Sequence, residues 1–213
     1  LVHSEVRRKI KKIKKKNKQI NLKEQYNFIS KLEYDLTKDQ KNTLIEINND
    51  LQSNQKMFRL LQGDVGSGKT IVALISALNV INSGFQVAVM APTEILARQH
   101  YTLAKKLFKH SIKVELLSSK SEYSKKRDII NGLYEKDIDI VFGTHAIFQN
   151  KIQFKKLGLI VIDEQHKFGV NQRKKLSDKG GDNCDILLMS ATPIPRTLTM
   201  TMYGDMDLSI IKE

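Results

Sequence analysis

Short apolar runs recur along the chain from about residue 58 onward, and longer segments of helical period separate them. Each run is rich in Val, Ile, Leu or Phe and lacks the alternation of apolar and polar residues that marks a half-buried strand. This pattern is typical of strands buried on both faces of a parallel sheet. The predicted strands are residues 58–61, 87–90, 114–117, 138–142, 159–162 and 186–189.

The segments between these runs predict helices. Residues 96–108 carry apolar side chains three or four positions apart, and residues 130–134 end a second segment of this kind. Thr37 is expected to cap a helix that runs to about Leu51. Strands that alternate with helices favour an α/β domain with a mostly parallel sheet and helices on both faces.

The first part of the chain differs from the rest. Residues 1–35 lack the alternation and are predicted to form a basic helical lead-in, before one domain over residues 36–213. Nine of the twelve residues 7–18 are Lys or Arg, and they supply much of the net charge of +13. Such a run can attract phosphates, but blocks of like charge are usually exposed. We therefore interpret it as a solvated, partly helical linker.

Composition narrows the class of protein. The longest apolar stretch, residues 71–81, is interrupted by polar residues and is shorter than the ~20 residues that a membrane helix needs. Cys184 is the single cysteine and cannot form an intrachain disulfide, and no leader precedes the domain, so we predict a cytoplasmic setting. The chain starts at Leu1 instead of Met, and we expect it to be a fragment of a longer protein.

A phosphate-binding loop is predicted between the first strand and the helix that follows it. The residues Gly63-Asp64-Val65-Gly66-Ser67-Gly68-Lys69-Thr70 satisfy the pattern G-x-x-x-x-G-K-[ST] in that context. Glycines let backbone N–H groups turn toward phosphate oxygens, and the helix start adds positive potential. Lys69 is expected to reach the β- and γ-phosphates, and the Thr70 hydroxyl to bind Mg²⁺. The loop alone leaves kinases, GTPases, transporters and motors open.

Two adjacent acids follow the predicted strand 159–162, at the edge where open α/β sheets bind ligands. Asp163 is expected to hold Mg²⁺, and Glu164 to orient and deprotonate the water that attacks the γ-phosphorus. His166 is placed to sense the γ-phosphate. No zinc site is predicted, because the histidines without an assigned role have no Cys or acid at ligand spacing. These are His3, His100 and His110.

Six ordered motifs resemble those of superfamily 2 helicases, and most closely the RecG family of ATP-dependent helicases that remodel branched DNA. The resemblance extends from about Leu32 to Glu213. Besides the phosphate loop and the acids, it rests on four segments. These are Leu36-Thr37-x-x-Gln40, residues 90–97, Gly143-Thr144-His145-Ala146 and residues 190–198.

The resemblance implies roles for residues in these segments. Gln40 is expected to contact the adenine of ATP. Ser190, Ala191 and Thr192 are expected to couple hydrolysis to movement along DNA. Four further residues are expected to hold the DNA backbone without reading bases. They are Thr93, Arg98, Thr144 and His145. The residues alone explain the two threonines equally as helix caps.

Two alternatives remain open on the sequence. The transcription-repair coupling translocase shares the coupling motif but usually has Tyr in place of Ser67 and Glu-Gln in place of Gln165-His166. A nucleotide-binding regulatory module without motor action is the alternative from a different class. The sequence also departs conservatively from the resembled pattern at three places: it has Lys167 for Arg, Ser190 for Thr, and Ser118-Ser119 for Thr-Gly. The departure at Ser118-Ser119 concerns DNA contact.

The resemblance further implies the first RecA-like motor domain of a helicase that uses ATP and Mg²⁺ for branch migration and for remodelling of forks and Holliday junctions. Its implied partners are branched DNA and two further domains of the same parent chain. One is a second RecA-like domain, which completes the ATP site with arginines. The other is a wedge domain that splits branched DNA. We therefore expect the present chain to bind ATP, to hydrolyse it slowly and not to unwind DNA alone.

Overall fold

A computed structural model of the chain describes residues 15–109, 111–163, 181–192 and 206–212. Within these residues the centre of the fold is one seven-stranded sheet. The strands are β1 (Phe58–Gly63), β2 (Gln86–Met90), β3 (Val114–Leu117), β4 (Ile140–Gly143), β5 (Leu157–Ile162), β6 (Asp185–Ser190) and β7 (Asp207–Ile211). Their order across the sheet is β3-β4-β2-β5-β6-β1-β7, and every neighbouring pair is parallel.

Helices connect these strands. The described part of the chain contains α1 (Leu22–Ile29), α2 (Lys38–Gln52), α3 (Lys69–Asn82), α4 (Glu94–Phe108), α5 (Tyr123–Glu135) and a 3-10 turn (His145–Phe148). The predicted cap is confirmed, because Thr37 is the N-cap of α2. No helix among the described residues has the length and apolar character needed to cross a bilayer.

The sheet is covered on both faces. Alternate residues of the central strands point to opposite sides, so neighbours such as Leu60 and Leu61 belong to different apolar clusters. Leu61 and Val161 pack with α2, α3 and α4 on one face. Leu60 and Ile160 pack with α5 and the 3-10 turn on the other. The predicted fold class, an α/β domain with helices on both faces, is confirmed.

All six predicted strands are present, with ends that differ by up to two residues, and the structure adds β7. This strand pairs with β1 alone, at the edge of the sheet. Its five residues, Asp-Leu-Ser-Ile-Ile, mix buried and partly exposed positions. These residues lack the continuous apolar run by which the other six strands were predicted.

The described end of the basic run packs against the domain. The side chains of Lys15 and Lys18 are 0% exposed, and their Nζ atoms lie 2.6 and 2.5 Å from the carboxylate of Asp185. The prediction of a solvated linker is therefore wrong for these two residues. A carboxylate at the start of β6 stabilises their charges, and that contact is invisible to local sequence patterns. Residues 7–14 lie outside the described residues.

Candidate nucleotide-binding site

The predicted site segments gather at the carboxyl edge of the sheet. Because the paired strands are parallel, the residues at the ends of β1, β5 and β6 share that edge. Both β1 and β5 pair with β6, so the phosphate loop and the first acid flank the end of β6. In this register Gln62 lies opposite Ser190, the last residue of β6.

The phosphate loop has a backbone that only glycine adopts readily at two positions. Gly66 and Gly68 have φ angles of 88° and 81°. A Cβ atom on Gly68 would also collide with the side-chain amide of Gln40. At the start of the loop, a Cβ atom on Gly63 would lie 2.7 Å from the carbonyl oxygen of Ile211. The glycines of the motif thus lie where the backbone has a positive φ angle, as at Gly66 and Gly68, or where a Cβ atom would collide with a neighbour, as at Gly63 and Gly68.

The beginning of α3 is suited to an anion. Its N-cap is Gly68, which has no side chain that could cap the helix, and the first turn contains no acidic residue. The N–H groups of that turn and the helix dipole therefore favour negative charge. The hydroxyl of Ser67 is buried and has no hydrogen-bond partner among the described residues. These features fit a polyphosphate.

Lys69 holds its charge inside the loop. Its Nζ atom donates to the carbonyl oxygens of Gly63 at 2.6 Å and Asp64 at 2.8 Å. A phosphate oxygen is a stronger acceptor than a carbonyl, because hydrogen bonds between ionised groups are stronger than those to neutral groups. The ammonium group can therefore exchange these carbonyls for a phosphate without leaving the loop.

Gln40 joins the start of α2 to the phosphate loop. Its Oε1 accepts from the Thr37 N–H at 3.0 Å, and its own N–H donates to the Thr37 hydroxyl at 3.3 Å, which together form a capping box. Its Nε2 donates to the carbonyl of Ser67 at 2.9 Å. Gln40 is 6% exposed. Contact between Gln40 and adenine stays a prediction.

Asp163 lies directly after β5 and is 8% exposed. Its backbone N–H donates to the carbonyl of Met90 at 2.8 Å. Its Oδ2 lies 2.7 Å from Nε2 of His100, on α4. This pair has no local signature in the sequence, because the two residues are 63 positions apart. Glu164 and His166 lie outside the described residues.

The residues expected to contact DNA lie around the ends of β2 and β4. Thr93 is exposed and caps α4, since its hydroxyl accepts from the Leu96 N–H at 3.3 Å. Arg98 is exposed on the same helix. Thr144 precedes the 3-10 turn and makes no side-chain capping bond, and His145 is exposed. A helix-capping hydrogen bond therefore explains why a threonine is present at position 93, but the side chain of Thr144 forms no such bond.

The first residue of α4 also holds the loop after β3. Glu94 Oε1 accepts from the Ser119 N–H at 2.6 Å. Hydrogen bonding from Ser119 lowers the pKa of Glu94, so the carboxylate form is favoured. The loop that contains Ser118-Ser119, where the sequence departs from the resembled pattern, is thereby attached to the segment that starts α4.

The predicted coupling segment begins in the sheet. Ser190 is fully buried, and its Oγ lies 3.2 Å from the carbonyl oxygen and 3.1 Å from the hydroxyl of Thr192. Ala191 is partly buried and Thr192 is exposed. Residues 193–198, the rest of the motif, lie outside the described residues.

Comparison with known proteins decides the family. The sequence model of the DEAD/DEAH box helicases matches residues 37–201, which contain both the phosphate loop and the acids. The chain belongs to the DEAD/DEAH box helicase family. The fold of this helicase domain is RecA-like.

Within this family, the chain is similar to RecG helicases. The chain is 49% identical to the ATP-dependent DNA helicase RecG of Aquifex aeolicus over 204 residues, or 94% of the chain. It is 50% identical to RecG of Bacillus subtilis over 187 residues, or 87% of the chain. The chain spans 26% and 27% of the lengths of these relatives.

The fold is also similar to those of solved helicase structures. A structure of RecG bound to a three-way DNA junction superposes with a TM-score of 0.88 at 44% identity, over 100% of this helicase domain and 28% of that chain. The UvsW helicase of bacteriophage T4 has a TM-score of 0.66 at 18% identity, which shows a shared fold.

Proposed function

We propose that this helicase domain is the first RecA-like motor domain of a RecG-type DNA helicase, which hydrolyses ATP to drive branch migration and the remodelling of forks and Holliday junctions. One observation carries the proposal: the phosphate loop, with Lys69 inside it, lies at the same sheet edge as Asp163. The high identity to RecG proteins supports the choice among DEAD/DEAH box helicases.

The nucleotide site would work through residues that follow β1 and β5 in the sequence, together with Gln40 at the start of α2. Lys69 and the loop N–H groups bind the phosphates, and Gln40 recognises adenine. Thr70 and Asp163 would hold Mg²⁺, which supplies charge stabilisation for phosphoryl transfer. Glu164 accepts a proton from water as the water oxygen bonds to the γ-phosphorus and the bond to the ADP oxygen breaks. His166 senses the γ-phosphate.

DNA would bind across the loops beside this site. Thr93, Arg98, Thr144 and His145 offer hydroxyl, backbone and cationic donors to phosphates, a mode of contact that carries no sequence information. The segment that begins with Ser190, Ala191 and Thr192 would transmit hydrolysis to the DNA segments, since it starts beside the phosphate loop.

We also propose that other domains complete the activity, because the RecG relatives are several times longer than this chain. A second RecA-like domain would supply arginines to the ATP site, in the manner of an arginine finger. A wedge domain would separate the arms of branched DNA. The isolated chain should therefore bind ATP, turn it over slowly and fail to unwind.

The choice of DNA substrate tests the RecG-type activity. A full-length protein that contains this domain is assayed for ATP hydrolysis without DNA and with single-stranded DNA, duplex, a fork and a four-way junction. We expect the branched DNAs to stimulate hydrolysis most strongly. Stimulation that is indifferent to branching would overturn branch remodelling and favour a duplex translocase.

The Glu164→Gln change, made in a full-length protein that contains this domain, tests the proposed role of Glu164 in ATP hydrolysis. The variant should bind a fluorescent ATP analogue within about threefold of the unmodified protein and lose at least about 100-fold in turnover, because the general base is removed. Glu122→Gln is the control, since Glu122 is exposed and makes no capping bond. Equal turnover by the two variants would show that Glu164 is not the base.

A further inference from the structure

His100 contacts the acid that the proposed function assigns to the metal. Its Nε2 lies 2.7 Å from Asp163 Oδ2, and the two side chains are 12% and 11% exposed. We propose that His100 is a positioning residue for hydrolysis, which fixes the Asp163 carboxylate and links α4 to the nucleotide site. The inference rests on the proposed function, because it concerns the same site.

The direction of the hydrogen bond follows from the chemistry of the pair. An ionised carboxylate can only accept, so the Nε2–H of His100 donates to Asp163. This bond restricts rotation of the carboxylate about its side-chain torsions. Ligating carboxylates are commonly oriented in this way, and loss of such a partner typically lowers metal affinity or activity about 10- to 100-fold.

Asp163 is held at two points, one on β2 and one on α4. Its backbone N–H donates to Met90, the last residue of β2, and its side chain accepts from His100 on α4. A shift of α4 relative to β5 would therefore change the orientation of the carboxylate while its backbone stays in register. The helix itself is anchored by buried side chains along its length. These are Ala97, Ala104 and Phe108.

The same helix carries the segment proposed to hold DNA. Thr93 caps its start, Glu94 holds the Ser119 loop, and Arg98 lies two residues before His100. A DNA strand bound to Thr93 and Arg98 would bear on the helix that positions Asp163. This is a direct structural connection from the DNA-binding edge to the metal ligand, additional to the segment at Ser190.

Nucleotide binding by the present chain tests the inference without relying on turnover. Binding of a fluorescent ATP analogue is followed as Mg²⁺ is titrated. We expect His100→Ala to raise the Mg²⁺ concentration at half-maximal binding about tenfold. His100→Gln should largely restore it, because the glutamine amide N–H can replace Nε2–H. Thr102→Ala is the matched control, since Thr102 is exposed on the same helix.

Two further measurements separate the possible outcomes. Thermal melting of each variant shows whether it is folded. If His100→Ala is not, His100→Leu provides the test, because leucine keeps the bulk of the side chain and has no N–H donor. In a full-length protein, His100→Ala should lower DNA-stimulated hydrolysis more than hydrolysis without DNA, and equal losses would overturn the link to α4.

Lys69→Ala is measured in parallel to keep the two hypotheses apart. If this variant still binds the ATP analogue normally, the proposed nucleotide site is wrong. If it loses binding while His100→Ala keeps the Mg²⁺ dependence of the unmodified chain, the nucleotide site stands and the positioning role of His100 is overturned.

Discussion

Two buried ammonium groups share one carboxylate at the amino edge of the sheet. Lys15 donates to both oxygens of Asp185 and Lys18 donates to Oδ2, while the N–H of Met57 donates to Oδ1 at 2.7 Å. Burial lowers the pKa of Lys15, and the attraction of Asp185 opposes that effect. Asp185 is therefore the group that makes burial of this end of the basic run tolerable.

Asp185→Asn tests this arrangement. The change keeps the shape of the side chain but removes the charge that compensates the two lysines, so we expect the free energy of unfolding to fall by about 3 to 5 kcal/mol. Urea denaturation measures the loss. Asp182→Asn is the control, because Asp182 is exposed and lies three residues earlier in the chain. A loss under about 1 kcal/mol at Asp185 would contradict the ion-pair account.

Buried side-chain amides join three helices at the scale of secondary-structure elements. Gln25 of α1 accepts through Oε1 from Asn48 of α2 at 2.9 Å and from Asn79 of α3 at 2.6 Å. Asn79 Nδ2 also donates to Asn48 Oδ1 at 2.9 Å. Because an unpaired buried amide is costly, these bonds determine how α1 sits on α2 and α3. The lead-in helix is thereby attached to the helicase domain.

Asn79→Ala should loosen the attachment of α1. The change removes two bonds and leaves Asn48 Oδ1 buried without this donor, while Gln25 Oε1 still accepts from Asn48. We therefore expect a loss of about 1 to 3 kcal/mol in the free energy of unfolding. Hydrogen exchange should also become faster in α1. Asn82→Ala provides the comparison, because Asn82 joins the same helix to α1 through an exposed hydrogen bond, to Glu24, instead of a buried one. Similar losses from both variants would show that the buried network is unimportant.

The whole domain is organised around one edge of its sheet. The phosphate loop follows β1, Asp163 follows β5, and the segment from Ser190 to Thr192 follows β6. These strands are adjacent in the order β5-β6-β1 and form the middle of the core. A ligand bound at their ends therefore contacts parts of the fold that must unfold together, and binding should stabilise the entire domain.

ATP should raise the melting temperature of the present chain. With Mg²⁺ and ATP at about 100 times the dissociation constant, linkage predicts about 2.7 kcal/mol of added stability. For a domain of this size that corresponds to an increase of roughly 5 to 10 °C in Tm. Differential scanning fluorimetry measures the increase. Lys69→Ala should abolish it, and Lys125→Ala, at an exposed position on α5, should not.

The sequence by itself determined the class of fold, the positions of six strands and the phosphate loop. These features are local: continuous apolar runs show where both faces of a strand are buried, and glycine spacing shows where the backbone must turn back on itself. The Thr37 cap was predictable for the same reason, since a capping box spans four residues.

Only the tertiary structure decided which distant residues meet. The strand order across the sheet brings Asp163 beside β2 and His100, and it brings Asp185 beside the segment of Lys15 and Lys18. Spacing along the chain contains no information about these pairs, because helix packing and sheet register create them. Strand β7 was not predicted for a related reason. It forms a strand because it pairs with β1, and its own residues do not indicate that pairing.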